Sequence, residues 1–259
     1  MSKVESILKK ALDGHRVNEE EALELFDCID MTLLGNVASR ITRKKKKNRD
    51  ITYIVDRNVN YSNVCITDCT FCAFYRKERD EDSYVLPFDT IAEKIEETIR
   101  LGGRQILLQG GHHPNLKIEY FEDLFRRIKE NFDIQIHGLS PSEIIHTAKI
   151  SKLSVDETLD RLMQAGLDSI PGGGAEILVD RVRRKISPLK CTADQWLDVM
   201  DRAHRKGLPT TATMMFGHVE TLAERVEHFM RLRQQQDKTG GFTAFILWPF
   251  QPGTTELGM

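Results

Sequence analysis

The rhythm of apolar positions changes near residue 50. Before it, the stretch "EEEALELFDCIDMTLLGNVASRITRKKKK" keeps helical spacing, and residues 1–50 read as an N-terminal helical extension. After it, short apolar runs rich in β-formers recur at 59–64, 104–108, 133–137, 168–170, 210–215 and 243–248. Stretches of helical period lie between them. Ile91, Ile95 and Ile99 are spaced at i, i+4 and i+8; Phe121, Leu124, Phe125 and Ile128 follow i, i+3, i+4, i+7, as do Trp196, Val199, Met200 and Ala203. Thr90/Glu93, Ser154/Glu157, Thr192/Gln195 and Thr221/Glu224 have capping-box spacing and predict helix starts. Gly102-Gly103, Gly166 and Gly207 each follow a helical stretch and predict its end.

Six strands alternating with helices predict an α/β fold with a mostly parallel sheet and right-handed crossovers, either an open doubly wound sheet or a barrel. Glycines and polar residues collect just after the strands, at Gly110-Gly111-His112-His113, Gly138-Leu139-Ser140, Gly172-Gly173-Gly174 and Gly217-His218. In a barrel these strand ends converge on one mouth, where a site is expected.

Composition narrows the class. The 259 residues are 40% hydrophobic and 29% charged, which suits one globular domain with a sizeable core. A net charge of −2 gives no overall attraction to nucleic acid or an anionic membrane, and neither partner is expected. The basic run Arg43 to Lys47 is short, lacks interleaved aromatics and reads as a solvated helix end. No apolar run is long enough to span a bilayer, and the N-terminus does not resemble a signal peptide. A cytoplasmic enzyme is expected. The stretch "FILWPFQPGTTELGM" stops after the sixth strand with no helix to follow, so the chain reads as C-terminally truncated.

Of five cysteines, three lie within eight positions, as Cys65-x3-Cys69-x2-Cys72 after the first strand. Structural zinc usually takes four ligands in two separated pairs, and Cys28 and Cys191 are isolated. A disulfide would leave one thiol over. Three thiolates suit a four-iron cluster with one iron open to a small molecule.

This spacing, with Phe71 as the aromatic before the third cysteine, resembles the signature of the radical S-adenosylmethionine (SAM) superfamily. The resemblance implies a (β/α)6-type partial TIM barrel over residues 51–259, a [4Fe-4S] cluster on Cys65, Cys69 and Cys72, and SAM chelating the open iron. It further implies that an electron from a donor such as flavodoxin or ferredoxin cleaves SAM to a 5′-deoxyadenosyl radical, which takes hydrogen from a small-molecule substrate. The family's Gly-rich turn after strand two matches Gly110-Gly111, with His112 where an acidic residue is common. The phrases "FCAFYR", "QGGHHP", "GLSPSEI", "DSIPGGGAEIL", "TTATMMFGHVET" and "WPFQPGTTEL" resemble one branch, which holds the menaquinone enzymes of the futalosine route and the synthase joining tyrosine to a deazaflavin precursor. Within it they look most like the cyclic dehypoxanthine futalosine synthases, whose substrate is dehypoxanthine futalosine.

Such chemistry asks for groups that hold sugar hydroxyls and a carboxylate, and for a base. Glu143 and Glu176 sit beyond strand ends as acid/base or hydroxyl-binding carboxylates; each also fits a helix N-terminus. Ser140 reads equally as a helix N-cap or a SAM ligand. Gly172 to Gly174 read as an anion nest or a loop. His112 and His218 are assigned substrate or base roles, while His137, His146, His204 and His228 read as structural. Two further readings stand beside the cyclase: an aminofutalosine synthase or deazaflavin-precursor enzyme, and a non-catalytic iron–sulfur or zinc scaffold.

Overall fold

The structure, a computed structural model, describes residues 2–46 and 50–259; Lys47, in the basic run, lies outside the described residues. Three helices lead: α1 (Lys3–Leu12), α2 (Glu19–Phe26) and α3 (Met31–Lys45). Then come β1 (Asp56–Asn60), α4 (Phe88–Arg100), β2 (Gln105–Gln109), α5 (Ile118–Asn131), β3 (Gln135–Gly138), α6 (Pro141–Ser151) and α7 (Val155–Ala165). The chain continues through α8 (Asp180–Ile186), α9 (Ala193–Arg205), β4 (Thr210–Phe216), α10 (Leu222–Thr239), β5 (Phe242–Pro249) and a 3-10 turn at Glu256–Gly258. Among the described residues no helix is long and apolar enough to cross a membrane.

Every strand pairing is parallel: β1 with β2, β2 with β3, and β4 with β5. The strand predicted at 168–170 is reduced to two parallel bridges, His137 to Ser169 and Ile170 to Thr210, which join the two sheets into one series. Pro171 and three glycines follow Ile170, so the backbone leaves the ladder at once. Successive helices touch in one layer: α5 meets α6 and α7, both of these meet α9, and α9 meets α10. A doubly wound sheet divides its helices between two faces. One continuous outer layer instead gives a partial β/α barrel.

The core lies between strands and helices. Ile106 and Leu108 of β2 and Ile136 of β3 join Ile91 and Ile95 of α4, the α5 stripe Phe121, Leu124, Phe125 and Ile128, and the α9 stripe Trp196, Val199, Met200 and Ala203. Each large side chain buried this way contributes about 1.5–3 kcal/mol. Three of the predicted capping boxes form, at Ser154/Glu157, Thr192/Gln195 and Thr221/Glu224. The one at Thr90/Glu93 does not, because α4 begins three residues earlier with Pro87 at its N-cap position. A further box at Ser140/Glu143 starts α6 and shapes the site. The N-terminal helices pack on one another, and α2 packs on α10, where Arg16 pairs with Asp237 and Arg233 donates to the Val17 carbonyl at 2.8 Å.

Candidate active site

The chain leaving β1 folds back on itself, with Ser62 bridging Val85 and Val64 bridging Arg76. Within that fold Cys65, Cys69 and Cys72 carry free thiols, and all three line one cavity of about 370 Å³. The cysteine loop is tied at several points. Cys65 N–H donates to the Arg76 carbonyl at 3.0 Å, and Thr70 N–H to the carbonyl of Ile186, at the end of α8, at 2.9 Å. Polar groups lie against sulfur. Thr67 Oγ1 lies 3.0 Å from Cys65 Sγ and 3.5 Å from Cys69 Sγ, and His112 N–H donates to Cys65 Sγ at 3.3 Å. Burial pushes the Cys69 thiol up, against the pull of the Lys190 ammonium.

The two glycines after β2 are packing requirements. A Cβ on Gly110 would lie 2.6 Å from the Tyr61 ring, and one on Gly111 would lie 2.1 Å from the Val64 carbonyl oxygen. Their N–H groups bond within the protein, Gly110 to Glu143 Oε1 at 2.9 Å and Gly111 to the Ser62 carbonyl at 2.9 Å.

Glu143 is the joint between three strand ends. It is almost fully buried, and burial pushes its carboxyl up while four donors pull the other way. Tyr61 O–H, just past β1, donates to Oε1 at 3.0 Å, and Gly110 N–H shares that oxygen. Ser140 N–H and Oγ–H donate to Oε2 at 2.7 and 2.6 Å. Ser140 is thus the N-cap of α6, and it also lines the cavity. The chain of contacts continues from Ser140 Oγ to Ser142 Oγ at 3.1 Å and on to His112 Nε2 at 3.2 Å. Burial, then the charge of Lys190 and His146, holds the His112 imidazole well below its usual value, so it is neutral. Its ring stacks on His146 with centroids 5.1 Å apart.

Cys65, Cys69, Cys72, Phe71, Gly110, Gly111, His112, Ser140 and Glu143 therefore share one cavity wall. Glu176 stands one layer behind it, pairing its Oε1 with Lys190 Nζ at 3.0 Å. His218 lies away from the cavity lining. Glu220 accepts the N–H groups of Gly217 and His218 at 2.6 and 2.9 Å, and His218 Nε2 turns back to the Met215 carbonyl at 3.0 Å. His137 and His204 bond to hydroxyls of Ser169, Thr210 and Thr239, and His146 to the His113 carbonyl. Sequence reasoning missed Lys190, Ser142, Tyr61 and Thr67. Lys190 sits in the polar loop between α8 and α9, where no spacing marks it. The Gly172–Gly174 run is tightly packed: a Cβ on Gly172 would lie 2.7 Å from Thr213 N, and one on Gly173 2.3 Å from Gln109 Nε2.

Residues 59–232 match the radical SAM superfamily. The chain belongs to that superfamily. It is 45% identical over 255 residues to a cyclic dehypoxanthine futalosine synthase of Halalkalibacterium halodurans, covering 98% of this chain and 69% of that protein. It is 43% identical over 251 residues to a 5-amino-6-(D-ribitylamino)uracil–L-tyrosine 4-hydroxyphenyl transferase of Methanothermobacter thermautotrophicus, covering 96% of this chain and 68% of that protein. The chain thus spans about two thirds of the length of the curated relatives it matches. Among solved structures, methylornithine synthase superposes with a TM-score of 0.75 at 15% identity, covering 97% of this chain and 70% of the other, which shows a common fold.

This radical SAM enzyme takes a [4Fe-4S] cluster and SAM. The residues present fit both groups. Three unpaired thiols face one cavity, with an N–H donor and a hydroxyl beside sulfur, the kind of contact that tunes a thiolate-held cluster. Beside them two glycines keep backbone close where any Cβ would collide.

Proposed function

We propose that the chain is a radical SAM cyclase that converts dehypoxanthine futalosine to cyclic dehypoxanthine futalosine in menaquinone biosynthesis. Cys65, Cys69 and Cys72 hold the cluster, and Gly110, Gly111, Ser140 and Phe71 line the space for SAM. When bound, the reduced cluster and SAM supply a 5′-deoxyadenosyl radical that removes the hydrogen at the sugar C4′. The sugar carbon would then close onto the benzoate ring, and loss of one proton to a base and of one electron to the oxidised cluster would restore aromaticity.

The observation that carries this reading is His112 on a hydroxyl chain ending at the buried Glu143, beside the cluster thiols. A net loss of two hydrogens needs a base next to the radical site. Addition to an enolpyruvyl ether, the aminofutalosine chemistry, has no such need. His112 accepts the ring proton, and Ser142, Ser140 and Glu143 spread the resulting charge. The 45% identity to a named cyclase supports the same substrate, while the 43% identity to a tyrosine-transferring enzyme makes product identity the deciding observation.

The test is anaerobic turnover of the reconstituted chain with dithionite, SAM and dehypoxanthine futalosine, following 5′-deoxyadenosine and substrate mass together. The expected result is substrate-dependent 5′-deoxyadenosine with a product two hydrogens lighter, and in His112→Phe at least a tenfold drop of that product relative to 5′-deoxyadenosine. Wild-type 5′-deoxyadenosine with no lighter product would remove the substrate assignment.

A further inference from the structure

Three charged side chains line the cluster cavity among the described residues: Arg76, Glu143 and Lys190. Two are already matched. Arg76 pairs with Asp82 at 2.7 Å, and Glu143 is enclosed by four donors. Lys190 differs. Among the described residues its one carboxylate partner is Glu176, whose second oxygen is buried without a hydrogen bond and lies 3.8 Å from Arg183 Nη1.

The group is built with care for position. Arg183 is buried and donates to the carbonyls of Gly174, Ala175 and Cys191 at 3.0, 2.7 and 2.6–2.9 Å, which fixes the backbone on both sides of the pair. Glu176 itself sits at φ +40, a left-handed conformation that a non-glycine residue adopts only at a cost. Lys190 Nζ rests 5.2 Å from the centroid of Phe71, which lies between Cys69 and Cys72. Its charge reaches both Cys69 and His112. Lys190 and Arg183 against Glu176 leave one net positive charge, held in a low-dielectric wall behind the thiols. A 2+ cluster core on three thiolates carries one net negative charge, and its reduction adds another.

We propose that Lys190 and Glu176 together set the reduction potential of the cluster, the ammonium favouring the reduced state and the carboxylate tempering and aiming that charge. Both are positioning residues. The buried cation stabilises added negative charge more strongly than it would in water. The inference rests on the cluster sitting on Cys65, Cys69 and Cys72, and it is independent of which substrate the enzyme takes.

Redox titration of the reconstituted chain, read by EPR without SAM or substrate, tests it. Iron and sulfide counts on each variant report cluster loading separately. In Lys190→Met the midpoint should fall by the equivalent of a tenfold harder reduction, 59 mV for one electron. Lys190→Arg should keep most of the wild-type value. Glu176→Gln should move the midpoint upward, opposite in sign to Lys190→Met. A structural role alone would not produce opposite signs. Unchanged midpoints in the loaded variants, or shifts in the same direction, would overturn the proposal. Should Lys190→Met fail to load, Glu176→Gln decides, and absence of an upward shift counts against the proposal.

Discussion

Gly111 has no room for a side chain, and the obstacle is backbone. Its Cβ would lie 2.1 Å from the Val64 carbonyl oxygen and 2.7 Å from its carbon, immediately before Cys65. A flexible neighbour could turn aside; a peptide carbonyl moves only with its strand. Gly111→Ala should therefore displace the cysteine loop, with an overpacking cost of about 1–3 kcal/mol. Gly207 serves as the control, since nothing lies within 4 Å of its Cβ and only its φ of +79 resists substitution. Urea unfolding and iron uptake should show loss of both stability and iron in Gly111→Ala, but loss of stability alone in Gly207→Ala. Full iron loading in Gly111→Ala would contradict this account of the turn. Strained residues also gather here: Asp68 in the cysteine loop, Leu139 before Ser140, and Glu176 all have positive φ.

At the scale of elements, α10 carries a pH-sensitive contact outside the cavity lining. His228 is wholly buried, accepts the Leu178 N–H at Nδ1 over 2.9 Å, and stacks on Phe245 of β5 with centroids 6.0 Å apart. Burial pushes its pKa down to about 3, against the opposing pull of the Thr213 backbone. The unfolded chain takes up this proton near 6.5, so stability is intact above that pH and falls as pH drops toward 3. His137, pushed down by burial to about 4, acts in the same sense. Urea unfolding at pH 7.5 and 5.5 should show wild type losing more stability than His228→Gln, by about 1 kcal/mol. Equal losses would contradict the buried neutral imidazole.

The same scale shows what the sequence made legible. The α5 and α9 stripes were readable because their apolar positions all reach one core. The α4 start was misplaced because Pro87, rather than Thr90, precedes the first turn. The strand at 168–170 shrank to bridges because Pro171 ends its ladder. In the site, cysteine spacing and the glycine pair are local patterns and could be read directly. Lys190 was invisible because its meaning depends on Glu176, fourteen positions away, and on the carbonyls gripped by Arg183. His218 follows the end of β4 as expected, but Glu220 holds its turn, its ring turns to the Met215 carbonyl, and it does not line the cluster cavity.

For the whole molecule, the parallel series of strands delivers β1, β2 and β3 to one end, and Tyr61, Gly110 and Ser140 meet there on a single carboxylate. The end of α8 ties to the cysteine loop at Thr70, and Lys190 in the loop after it lines the same cavity. The central claim is that this enclosure holds a four-iron cluster whose open iron takes SAM. EPR of the anaerobically reconstituted, dithionite-reduced chain, recorded with and without SAM, tests it most directly. The account predicts a reduced four-iron signal whose g values change when SAM is added. A fully loaded cluster whose signal is indifferent to SAM would contradict it.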